Sequence, residues 1–224
     1  MTVIRRAWQF PLQDARSALQ NVRSVDALVH DSVGERVARI RSRESCHDLL
    51  VLARLAPDDD ETWDEVLHPR ADDFGIERAA AGRLTALLAD LSEVLGDGGK
   101  VPPQFLEEVM SRAGWADSEV SQFLRGRRLP TLLRDEHLVP GDVVDRCEMW
   151  LPGGWLLGGE ARSWAHQVDV ESDRLERAMD ESAEFIAMQA QMDHQQVREQ
   201  LREGLASLSA SYREASGIVW ILQD

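Results

Sequence analysis

Two cysteines and a single lysine in 224 residues set the first limits on what this chain can be. Cys46 and Cys147 lie far apart and belong to no CxxC or Cys/His pair. That excludes a disulfide framework and a zinc ribbon, and it fits a reducing, cytoplasmic location. Long apolar runs are missing too: LLVLA and GIVWIL are far too short to span a bilayer, so no membrane partner is expected. MTVIRRAWQF lacks the apolar segment and small-residue cleavage site of a signal peptide.

Catalytic and cofactor signatures are equally absent. The six histidines form no HxxxH or HExxH pair, which argues against a metal site. DDDE, starting at Asp58, lacks the spaced ligands, glycine and distal glutamate of a calcium loop, and reads as a capped helix start. LPGGWLLGG is glycine-rich but carries neither GK[ST] nor GxGxxG before a helix, so it holds no phosphate chemistry. No G-x-S-x-G and no Ser-His-Asp signature appears. The expectation is a non-enzyme with no catalytic residue, no metal and no cofactor.

Positive charge is scarce. Asp and Glu number 40 against 25 Lys and Arg, for a net charge of −15, and Lys100 is the sole lysine. Nucleic-acid binders gain most of their affinity by neutralising phosphates, so this chain would need a small arginine patch, dimer avidity, or a different partner.

What is there is apolar and helical in pattern. At 43% apolar residues the chain can build a packed core. Residues 1–72 read as a helical N-terminal region, with Leu12, Ala15, Leu19, Val22, Val25, Val29, Val37 and Ile40 at mostly three- and four-residue steps. A stripe of Ile76, Ala80, Leu84, Leu87, Leu88, Leu91 and Leu95, closed by Gly96, opens a domain over 73–150. Residues 151–171 form a Gly/Trp-rich connector. From 172 to 224 the pattern predicts a long coiled-coil-like helix that dimerises or folds back on itself. Its seam is Leu201, Leu205, Leu208, Tyr212, Ala215, Val219 and Leu222, with polar QAQMDHQQ as a stutter or a break in the coil. The fold class expected is all-α.

One segment suggests a function. GWADSEVSQFLRGRRLP follows PQFLEEVMSRA, and together they read as helix, glycine turn, helix. Phe105, Val109 and Met110 supply the inner face of the first helix, Gly114 a left-handed turn, and Trp115 a plug between the helices. Val120, Phe123 and Leu124 supply the inner face of the second helix, and Gly126 ends it. Gly114, Trp115, Val120, Ser121, Leu124, Gly126, Arg128 and Pro130 match, at fixed spacing, the pattern of the lambda-repressor-like (Cro-type) helix-turn-helix DNA-binding family, which this central third resembles. The resemblance implies double-stranded DNA as partner and a dimeric transcriptional regulator. It places Asp117, Ser118, Ser121 and Gln122 on bases, and Arg112, Arg125, Arg127 and Arg128 on phosphates. The expected dimer seam is Leu201, Leu205, Leu208, Tyr212, Val219 and Leu222.

Departures from the family pattern fall where DNA contact occurs. The helix cap is Ala116, with Asp117 the alternative cap, and Leu106 stands where a phosphate-touching glutamine is usual. Asp117 and Glu119 sit on the outward face, where carboxylates repel phosphate. The competing expectation is an acidic helical adaptor, or a self-assembling scaffold, that uses the helix-turn-helix and the C-terminal helix for protein contacts, with a protein partner at the C-terminal helix.

Overall fold

The computed structural model describes residues 5–30, 33–40, 43–53, 60–70, 72–97 and 101–223. Asp58, Asp59 and Lys100 lie outside them. The elements run β1 Arg5–Phe10, α1 Leu12–Leu19, α2 Val25–His30, α3 Val33–Ile40, α4 Glu44–Leu52, α5 Asp60–Leu67, α6 Asp73–Asp90 and β2 Glu93–Asp97. They continue with α7 Pro103–Arg112, α8 Asp117–Arg125, β3 Arg127–Arg128, α9 Leu129–Asp135, α10 Gly141–Cys147 and a 3-10 turn at Glu148–Trp150. The chain closes with β4 Gly154–Leu157, α11 Gly158–Val170, α12 Ser172–Ala190, α13 His194–Arg213 and β5 Ile218–Gln223.

The all-α expectation is overturned. Of the described residues 71% are helical, but the structure carries a five-stranded antiparallel sheet, so the class is α+β. The strand order is β2-β1-β5-β4-β3. Val219 and Leu222 continue a four-three spacing, which predicts a helical seam. They lie instead in β5, where Ile218, Val219, Trp220, Ile221 and Leu222 are all buried. Burial on both faces erases the alternation that marks a strand, while β-branched and aromatic residues favour the pleat. Leu95 and Gly96 likewise leave the helical stripe for β2.

The long C-terminal helix is also corrected. Gln191 adopts a left-handed backbone with φ 54° and ends α12. Asp193 then caps α13, its carboxylate accepting from the Gln196 N–H at 3.0 Å. The polar stretch, a stutter or a break by its pattern, is a chain reversal, and α13 folds back onto α12. Outside, Arg202 grips Glu176 with two hydrogen bonds of 3.0 and 2.6 Å, and Arg198 meets Asp180. The Arg202 guanidinium holds Glu176 below the ordinary carboxylate range.

The backbone divides into two compact units: one of residues 1–9, 94–126 and 156–224, the other of residues 10–93 and 127–155. The span 73–150 and the connector 151–171 each divide between them. In the second unit α6 is the central rod. Ala79, Ala80, Ala81, Leu84, Ala86, Leu87, Leu88 and Ala89 are all buried, so this helix meets protein on nearly every side. Arg83 is 1% exposed, and its guanidinium donates to the carbonyls of Leu28, Val29 and Leu67. These carbonyls close α2 and α5, where a cation complements the helix dipole.

In the first unit a single apolar cluster joins α7, α8, α11, α12, α13 and β5. Leu201, Leu205, Leu208 and Tyr212 are buried inside it, so the seam expected between chains is filled by the same chain. Replacing Leu208 with Ala should cost about 2–5 kcal/mol. Urea unfolding at two protein concentrations tenfold apart checks this: the midpoint should fall and should not depend on concentration. A concentration-dependent midpoint would restore the seam to a dimer.

Candidate helix-turn-helix surface

Pro103 starts α7 at a position where its missing N–H costs nothing. Leu106, Val109 and Met110 bury the inner face of α7, and Phe105 is half-buried. The turn is made at Gly114, whose φ of 80° is a left-handed conformation that a side chain resists. A Cβ there would also collide with the Arg174 guanidinium. Trp115 follows, 5% exposed, with its indole N–H donating to Glu171 at 3.1 Å.

The second helix is fixed from beneath by aromatic rings. Trp115 stacks on Trp164 at 5.6 Å and meets Phe123 edge-on at 5.7 Å. Phe123 in turn stands edge-on to Tyr212 at 5.3 Å, and the Tyr212 hydroxyl donates to the Phe123 carbonyl at 2.5 Å. Val120, Phe123 and Leu124 are buried, and Gly126, with φ of 67°, ends the helix. Ala116 holds the cap position of α8 with an extended backbone, and its side chain makes no capping hydrogen bond. Glu119 turns back and accepts from the Ala116 N–H at 2.8 Å, which does half the work of a capping box. Glu119 is therefore half-buried and committed to its own helix.

The base-reading candidates divide by exposure. Asp117, Ser118 and Gln122 are exposed on the outer face of α8, and Ser121 is half-buried. The four phosphate candidates divide between the units. In the first unit Arg112 pairs with Glu108 at 2.5 Å and lies over the Phe185 ring, while Arg125 pairs with Glu107. In the second unit Arg127 lies opposite Trp155 in the β3–β4 pairing, its guanidinium 3.9 Å from the ring centroid. Arg128 meets Glu148 at 3.0 Å.

The energetic weight of these pairs lies in charge balance rather than bond strength. Pairs this exposed contribute about 0–1 kcal/mol each, so a phosphate can displace the carboxylate. The displaced carboxylate stays within a few ångströms, however, and cancels the field that draws a phosphate in. Over α7, the turn and α8, Arg112 and Arg125 face Glu107, Glu108, Asp117 and Glu119. The Glu108–Arg112 pair is legible as a helical i,i+4 spacing. Glu107, Glu148, Glu171 and Trp155 come into play only through tertiary contacts, and no local pattern announces them.

Nucleophilic chemistry finds no support in the cysteines. Cys147 is fully buried, and desolvation pushes its thiol up to about 12, so thiolate is scarce at neutral pH. Cys46 is buried, its Sγ 3.5 Å from the Ala89 carbonyl. Among the described residues no three His, Cys, Asp or Glu side chains converge as a metal site, and no helix is long and apolar enough to cross a membrane. No family model matches the chain, and no curated protein or solved structure matches it.

Removing the Tyr212 hydroxyl tests how α8 is held. Tyr212→Phe leaves the buried Phe123 carbonyl without its donor and should lower stability by about 1–3 kcal/mol. Amide hydrogen exchange should show the loss concentrated in α8. Equal loss across the whole chain, or no loss, would contradict this role for the hydroxyl.

Proposed function

We propose that the chain is a protein-interaction module whose α7–turn–α8 face receives a basic segment of another protein. The observation that carries this reading is the neutralisation of Arg112 and Arg125 by Glu108 and Glu107, beside an outward Asp117. A face of this balance repels phosphate and attracts lysine and arginine, in keeping with the net charge of −15. The aromatic anchoring beneath α8 supports the same reading, because a rigid face loses little entropy when a partner docks.

The second reading is a DNA-binding regulator of the lambda-repressor-like type, with double-stranded DNA as partner. It draws on the exposure of Asp117, Ser118 and Gln122, the residues that would reach base edges. Dimerisation through the Leu201–Leu208 seam is not part of either proposal, since those side chains are buried within their own chain.

One pair of titrations separates the two readings. At about 50 mM salt, where phosphate contacts are strongest, a pool of random-sequence duplexes should remain unshifted. An arginine-rich dodecapeptide used as a probe should move the amide resonances of Asp117, Ser118 and Gln122, and Asp117→Asn should weaken it about threefold. A duplex shift abolished by Arg112→Ala with Arg125→Ala would overturn the proposal in favour of DNA. Peptide binding that leaves the α8 resonances in place would also overturn it.

A further inference from the structure

The second unit contains a cavity of about 280 Å³ beside the start of α6, walled by Val66, Phe74, Arg78 and Trp150. It has hydrogen-bond donors without acceptors. Arg78 is half-buried, its guanidinium 5.9 Å from the centroid of the Trp150 ring, and it has no carboxylate or carbonyl partner among the described residues. The Trp150 indole N–H is buried and also lacks an acceptor. This is unusual in so acidic a chain, where Arg134, Arg146, Arg202 and Arg213 each meet a carboxylate. A half-buried guanidinium left without an anion is costly, and a bound anion would remove that cost.

The walls show the rest of the ligand. Phe74, on the first turn of α6, is 67% exposed, an unusual position for a large aromatic ring. Arg70 adds a second positive charge at the rim. The acid on that rim, Asp72, is committed to the helix: its carboxylate accepts from the Gly75 N–H at 2.7 Å and caps α6. An engineered cavity of about 150 Å³ holds benzene, so this one has room for a ring and a short acidic arm.

We propose that this cavity binds a carboxylate carrying a flat apolar body, with Arg78 on the carboxylate and Phe74 and Trp150 against the ring. The inference is independent of the reading of α8. The same chemistry is offered by a free aryl carboxylate and by the C-terminal residue of a peptide ending in phenylalanine.

The test uses the whole 15N-labelled protein and follows the Trp150 indole N–H, assigned by its loss in Trp150→Phe. Phenylacetate should shift this resonance saturably. Phenylacetamide, with the ring but no charge, and acetate, with the charge but no ring, should each bind about tenfold or more weakly. Arg78→Gln should lower phenylacetate affinity about tenfold. Phe74→Ala alters an exposed side chain, keeps the fold, and should weaken phenylacetate about threefold while leaving acetate unchanged. N-acetyl-glycyl-phenylalanine binding more tightly than phenylacetate would identify a peptide terminus as the occupant; weaker binding would identify a free acid. The proposal fails if phenylacetamide binds as well as phenylacetate, if neither carboxylate gives a saturable shift, or if Phe74→Ala changes nothing. Should Arg78→Gln unfold the chain, the amide comparison and Phe74→Ala still decide.

Discussion

The hydroxyl of Tyr212 and the rings around it are the constraint on which the α8 surface depends. Tyr212 ends the apolar ridge of α13, and its donation to the Phe123 carbonyl ties that ridge to the last turn of a nine-residue helix. A helix this short has little stability of its own. Stacking of Trp115 on Trp164, with Phe123 edge-on to both, supplies the rest and determines which side of α8 faces water. Everything said of Asp117, Ser118 and Gln122 as an accessible face follows from that anchoring.

With the orientation fixed, the surface is set by the acids. An arginine beside its own carboxylate is a poor phosphate ligand even when the pair is weak, because the local field is already cancelled. Arg112 and Arg125 are of this kind. Arg127 and Arg128, in the other unit, have Trp155 and Glu148 beside them. Arg83 takes the opposite course: it is buried and structural, its charge closing two helices through their carbonyls. Arg78 belongs to neither pattern, which is why its cavity stands out.

How much of this was legible in the sequence depends on how local each cause is. The α7–turn–α8 segment was readable because Pro103, Gly114 and Gly126 act through backbone preferences, and because Val120, Phe123 and Leu124 repeat at helical spacing. The strands were missed for a physical reason. β5 is buried on both faces, so GIVWIL shows no alternation, and Tyr212, Ala215, Val219 and Leu222 continue a false heptad past Gly217. β3 and β4 are too short for any periodicity. The seam residues were correctly read as apolar and contiguous, but spacing alone does not say whether α12 or a second chain covers them. The partners of the arginines were the least legible, since Glu107 and Arg125 meet across a turn and Arg127 meets Trp155 across a strand pairing.

The central claim is that the cations of α7 and α8 are held by the chain's own acids and give phosphate no purchase. It is tested most directly by the resonances of the two donors, the Arg112 Nε–H and the Arg125 Nη–H. In the free protein at low salt both should exchange slowly with water, as hydrogen-bonded guanidinium groups do, and an excess of a duplex should leave both in place. Fast exchange in the free protein, or movement of either resonance as duplex is added, would contradict the account.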